Sequence, residues 1–310
     1  MATTTSLTST YAGQDAAGYI AAALLEGNTI AKGGIEVKQN VKFKEVIKKL
    51  ATDANVIKNA TCDFDATGTV TMTERILQPE EFQVNMQFCT KDFVSSWEAI
   101  SMGYSAYNNP PKDFSSYMLG HVAGLVAQST ETNIWEGSNA SAGQFDGFVP
   151  LALADADVID VASHAAVTSS NVIDKLGSIV DAIPSALYGK EDLHLYISQN
   201  IARAYIRSLG GFASNGLGGA GYEGRGTNQS LGDNLLFDGV KLFVANGLND
   251  DTAMAAQKSN LFFGTGLLSD YNQAQIIDMS SVGSQNFRVI MRYTAGVQYG
   301  IGSEIVLYHA

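Results

Sequence analysis

Between Ile35 and Phe88 the sequence carries strand signals but few of the large side chains needed to build a core around them. Thr69 to Arg75 (TVTMTER) is rich in β-forming residues, and Phe82, Val84, Met86 and Phe88 alternate strictly with Gln83, Asn85 and Gln87, the period of a half-buried strand. Pro79 and the Glu80-Glu81 pair separate the two runs. Val41 to Leu50 fits a strand period at its start and a helical one later, so its class stays open. Seven lysines lie between Lys32 and Lys58 against Glu36, Glu45 and Asp53, giving this segment +4 and the remainder −16 of a formal −12. Such a block is either a solvated face or an arm that docks on an acidic surface, which a second copy of the chain could supply.

Composition adds to the impression of a chain that is incomplete by itself. Only 16% of residues are charged and 31 of 310 are Gly, against about 25% and about 7% in average domains. An apolar content of 45% excludes global disorder, and the acidic balance argues against a dedicated nucleic-acid binder. The length accommodates roughly two domains. Ala16 to Leu25 is too short to span a bilayer and follows no basic run, so neither a signal peptide nor a membrane span is expected. Cys62 and Cys89 are the only cysteines and read as two free thiols.

Along the chain, the first 35 residues form a polar arm with one short helical patch at Ala17, Ile20, Ala21 and Leu24. A brief helical pattern with Phe93, Trp97 and Ile100 leads to Pro110-Pro111, a helix start signal. The helix that follows is predicted to be the longest, with Phe114, Tyr117, Met118, His121, Val122 and Leu125 on one face and a weakening pattern toward Trp135. Farther on, Val172, Ile173, Leu176, Ile179, Val180 and Ile183 predict an amphipathic helix. Leu193, Leu195 and Ile197 predict a strand, and Ile201, Ala202, Tyr205 and Leu209 a second helix stopped by Gly210-Gly211. Gly210 to Gly232 has no periodicity and reads as a long surface loop. Strand signals return at 240–245, 260–263, 274–278, 286–294 and 304–308.

No constellation for catalysis emerges. Gly216, Gly218 and Gly221 match the dinucleotide spacing, but a helix precedes them where a strand is required. His121, His164, His194 and His309 show no metal-ligand spacing, and His121 is expected as a packed, hydrogen-bonded imidazole on the long helix. Asp155-Ala-Asp157 and Asn249-Asp250-Asp251 read as turn and cap residues. The chain is therefore not read as an enzyme, and no cofactor or metal is expected.

The order of parts, together with three segments near the C-terminus, resembles the major capsid proteins of tailed bacteriophages, the HK97-like fold. Those segments are Gly239-Val-Lys-Leu-Phe-Val-Ala-Asn-Gly, Gln257-Lys-Ser-Asn-Leu-Phe-Phe-Gly-Thr and Phe287-Arg-Val-Ile-Met-Arg-Tyr-Thr-Ala-Gly-Val-Gln-Tyr-Gly-Ile. The resemblance implies an α+β chain with an N-terminal arm at 1–35, an extended β loop at 36–90 and a peripheral domain at 91–164 whose spine helix covers 111–136. An axial domain would follow at 165–275, and C-terminal strands at 276–310 would complete the peripheral domain.

By the same resemblance, Lys42, Lys44, Lys48, Lys49, Arg75 and Phe82 would lie at the subunit interface, and Gly216, Gly218, Gly219, Gly221 and Arg225 in a loop near the axis of a hexamer or pentamer. The implied function is an icosahedral shell of hexamers and pentamers, a virion capsid assembled in the host cytoplasm, enclosing double-stranded DNA without sequence-specific binding. Its partners would be a portal, decoration proteins and a separate scaffold or none. No local motif locates the Lys–Asn crosslink found in some members. Rival readings are an encapsulin-like shell of the same fold, a tail or surface-lattice protein, and a soluble α+β enzyme with an unrecognised site.

Overall fold

The computed structural model describes residues 27–52, 68–89, 112–161, 165–208, 235–266, 274–279 and 286–310, with isolated positions between them. The arm patch at Ala17 to Leu24, the pattern around Trp97 and the glycine loop with Gly216, Gly218, Gly219, Gly221 and Arg225 lie outside the described residues. In chain order the elements are α1 (Asn28–Ala31), β1 (Glu36–Lys38), β2 (Glu45–Thr52), β3 (Val70–Leu77), β4 (Glu80–Cys89), α2 (Lys112–Glu136) and α3 (Phe148–Leu153). There follow β5 (Ile159–Asp160), α4 (Val172–Asp181), β6 (Leu193–Ile197), α5 (Gln199–Ser208), β7 (Leu236–Phe237), β8 (Val240–Val244), β9 (Ala253–Gln257), β10 (Leu261–Gly264), β11 (Ala274–Asp278), β12 (Asn286–Tyr299) and β13 (Val306–Tyr308).

These strands form three sheets. The first is built on β12, which pairs with β4 over Asn286 to Ala295, with β11 around Val289 and with β10 over Gly296 to Tyr299; β1 adds to β10 in parallel. The second runs β5-β13-β9-β6-β8-β7. In it, β6 and β8 are parallel and are joined by a crossover that contains α5, as a parallel pair requires. The third is the isolated antiparallel pair β2–β3, so the ambiguous run before Leu50 is a strand from Glu45 onward.

The six-stranded sheet is covered on both faces. On one side Leu195, Ile197, Leu242, Val244, Ala253 and Ala255 pack against Val172, Leu176 and Ile179 of α4 and Ile201 and Tyr205 of α5. On the other, Tyr196, Met254, Ala256 and Leu307 share a core with Trp135 of α2, Phe148 of α3 and Phe263, Val297 and Tyr299 of the first sheet. Double coverage explains why β6 buries Tyr196 as well as the alternating leucines. In α4, Ile173 is exposed, because it falls at the edge of the stripe that the other apolar residues fill.

The sheets do not divide the chain at residue 275. Strand β10 belongs to the first sheet although it lies within the expected axial range, and β13 belongs to the six-stranded sheet although it was expected to complete the peripheral domain. The chain passes between the sheets at 258–260 and again after Tyr299, and one buried side chain ties both crossings. Asn260 Oδ1 accepts from the Gly300 and Ile301 N–H groups at 3.1 and 2.8 Å, and its Nδ2 donates to Ile301 O at 2.9 Å.

Helix α2 spans 25 residues where the spine helix was expected; of the expected stripe, the side chains of Phe114, Tyr117 and Met118 lie outside the described residues. Leu125 is exposed and His121 half-buried, whereas Val122, Val126, Thr130, Glu131, Asn133, Ile134 and Trp135 are buried. The apolar pattern fades toward Trp135 because part of that buried surface is polar and its partners come from other parts of the chain.

Candidate assembly surface

The β2–β3 hairpin pairs Val46 with Ile76, Lys48 with Glu74, Leu50 with Met72 and Thr52 with Val70. Residues directly opposite in an antiparallel pair share a face, so Val46, Leu50, Val70, Met72 and Ile76 form one apolar row interrupted by the Lys48/Glu74 pair. That row faces water: Leu50 and Met72 are each 65% exposed, Val70 62%, Ile76 44% and Val46 43%. Phe43 before β2 and Ile57 beyond it are exposed as well. Exposed apolar side chains gathered on one face are a feature of interaction surfaces.

The root of the hairpin, in contrast, is fixed. Leu77 is buried beneath Gly264, where an added Cβ would lie 2.9 Å from a Leu77 methyl. Lys38 Nζ pairs with Glu45 at 2.6 Å and sits 4.8 Å from the Phe262 ring centroid. On the other strand Arg75 donates to Asp155 and lies over the Tyr299 ring at 4.5 Å, while the Tyr299 hydroxyl donates to the same Asp155 oxygen at 2.9 Å. Burial alone would push the Asp155 carboxyl up, but the Asp157 N–H, Arg75 and the Tyr299 hydroxyl together hold it below its ordinary value. Burial and the neighbouring carboxylate push the Tyr299 phenol well up. Gly302 is required beside this cluster, since a Cβ there would meet Asp155 Oδ2 at 2.6 Å.

Of the interface residues expected from sequence, Lys42, Lys44 and Lys48 are exposed and Lys49 is half-exposed, all on or next to the hairpin. Lys44 Nζ lies 5.4 Å from the Phe43 ring centroid. Arg75 and Phe82 are engaged inside the subunit instead. Arg75 is committed to Asp155 and Tyr299, and Phe82 packs between Phe145 and Tyr293 with centroids 5.9 and 5.6 Å away. Both face inward because β3 and β4 meet the body through β12. The apolar row was not singled out from the sequence, although Val70 and Met72 alternate visibly within TVTMTER.

Among the described residues no group of three or more His, Cys, Asp or Glu could hold a metal ion, and no helix is long and apolar enough to cross a membrane.

No protein-family model matches the sequence, and no curated protein matches it. Solved structures do match, over nearly the whole chain. The capsid of an empty GTA particle superposes with a TM-score of 0.59 at 8% identity, covering 95% of this chain and 94% of that one. The capsid structure of the cyanophage P-SCSP1u gives 0.57 at 12% identity, covering 95% and 91%. A structure from Mycobacterium phage Adephagia gives 0.59 at 11% identity, covering 94% of each chain. The chain has the HK97-like capsid fold.

Proposed function

We propose that the chain is a major capsid protein whose copies assemble as hexamers and pentamers into an icosahedral shell around double-stranded DNA. The exposed apolar row on a firmly rooted extended loop carries this reading. It gives each subunit a stiff lever whose bare face needs a neighbour. Each such side chain, once covered, contributes on the order of 1.5 to 3 kcal/mol before the cost of association is subtracted. Because every subunit both gives and receives a loop, modest contacts add up around a closed shell. Lys42, Lys44, Lys48 and Lys49 meet carboxylates of the neighbour, which the acidic remainder of the chain supplies in excess. The role is structural, not catalytic, in a virion capsid made in the host cytoplasm. A net-acidic wall repels packed phosphates and leaves the DNA free to move. A portal completes the particle, with a separate scaffold and decoration proteins as further partners.

Negative-stain microscopy of the expressed protein tests the proposal. Closed shells are expected. A stable monomer or dimer on size exclusion, at concentrations where shells should form, refutes it.

A further inference from the structure

Residues 27–38 cross from the six-stranded sheet to the first sheet over the buried end of the spine helix. Asn28 Nδ2 donates to Val244 O at 2.6 Å, and Asn28 Oδ1 accepts from the Asn246 N–H at 3.2 Å. Thr29 N donates to Glu131 Oε2 at 3.0 Å, its hydroxyl donates to Glu131 Oε1, and that hydroxyl accepts from Trp135 Nε1 at 2.8 Å. The Gly247 N–H also reaches the Glu131 carboxylate. Glu131, 2% exposed, therefore joins the crossing segment, the spine helix and the turn after β8 at one point. Farther along, the Gly34 carbonyl accepts from the Tyr196 hydroxyl. Gly34 itself lies flat on Phe243, whose ring would stand 2.7 Å from an added Cβ. Strand β1 then joins β10.

The nature of these attachments matters. From Gly27 to Gly34 the segment is held by directional polar bonds and by the partly buried Ile30, which packs on the second core, and its fully buried apolar anchor, Ile35, comes only at the far end. The two cores keep their other members without it. Such an attachment opens as a local unit, with a free energy below that of global unfolding.

We propose that Gly27–Ile35 is a releasable strap, pinned by Glu131, that holds the two large sheets in one relative setting while engaged and lets them shift when a partner draws the arm away. The sheets share one core, and the chain also crosses between them from β4 to β5, at 258–260 and after Tyr299, so release permits sliding without separation.

Hydrogen exchange and spin-label distances on the full chain test both halves of the proposal. In the wild type, amides of 27–35 should exchange with a smaller denaturant dependence than those of β6, β9 and β13. Thr29→Val keeps the branched shape and removes the hydroxyl; it should speed strap exchange at least about tenfold, leaving those sheet strands unchanged. Strap and sheet amides that exchange together overturn the strap, and the wild-type measurement decides this even where the variant fails to fold. Spin labels at the exposed positions 173 and 277, introduced as Ile173→Cys and Ile277→Cys with Cys62→Ser and Cys89→Ser, report the setting of the sheets. A broader distance distribution is expected with Thr29→Val, or with Asn28→Ala as the second variant. An unchanged distribution once the strap has opened overturns the lock.

Discussion

The β2–β3 hairpin and strand β9 use opposite residues in opposite surroundings. The hairpin is written in strong strand formers (VTMTERIL on β3) and leaves their apolar row in water. Strand β9 is AMAAQ, a poor strand by residue type, and all five of its residues are buried between β13 and β6. The difference teaches where each segment gets its order. Strand β9 is ordered by pairing with β13 and β6 and by burial of every side chain, whereas the hairpin must hold its shape with one face in water. An isolated two-stranded hairpin is marginal, so intrinsic propensity and the ion pairs at its root do for it what burial does for β9.

The comparison breaks most sharply in the body. Leu195→Ala, in the strand beside β9, should cost about 2–5 kcal/mol in denaturant unfolding of the unassembled subunit. Ala255→Leu faces Val306 and Leu195 across the sheet and should cost about 1–3 kcal/mol by overpacking. A freely tolerated Ala255→Leu would mean that β9 is not confined as described.

At the root, Asp155→Asn should cost about 1–2 kcal/mol, since it weakens a part-buried charge-assisted pair. Its pH signature is specific. The Asp155 carboxyl is held below its ordinary value in the folded chain, so its contribution is present above that ordinary value and is lost as pH falls through the lower folded one. Glu131 has the reverse sign. Burial raises it more than Thr29, Gly247 and Trp135 lower it, so its contribution is complete below the ordinary glutamate value and is lost as pH rises through the folded one. Thermal unfolding across pH should therefore flatten below the ordinary aspartate value in Asp155→Asn and above the ordinary glutamate value in Glu131→Gln.

The smallest effects on the subunit should come from the hairpin itself. Leu50→Ser with Met72→Ser should change stability by no more than about 0.5 kcal/mol per site, yet abolish shells in light scattering and microscopy. Reversing Lys42, Lys44, Lys48 and Lys49 to Glu should likewise leave a folded subunit that does not assemble. Normal shells from either variant would show that the exposed hairpin is not an assembly surface.

Legibility in the sequence follows the same division. Strand β4 was readable because one face is covered and the other wet, which prints a period of two. Strand β9 was invisible because alanine carries no strand signal. The apolar pattern at the end of the long helix fades because Thr130, Glu131 and Asn133 are buried, and Glu131 is satisfied by Thr29, 102 positions away. The lysines of the hairpin were read as charge, but the apolar row beside them becomes evident as a surface only once the register sets Leu50 against Met72. Arg75 and Phe82 sit in the segment expected at the interface, and only their partners Asp155, Tyr299, Phe145 and Tyr293 reveal that they serve the subunit's own packing.

Strand β13 has a consequence in time. It lies between β5 and β9, and among the described residues it is the only strand that β5 pairs with. During synthesis the six-stranded sheet therefore stays open at that place until Tyr308 has left the ribosome. A chain stalled shortly before that point already carries its hairpin and the Asp155, Gly264 and Tyr299 that root it, but its six-stranded sheet still lacks β13.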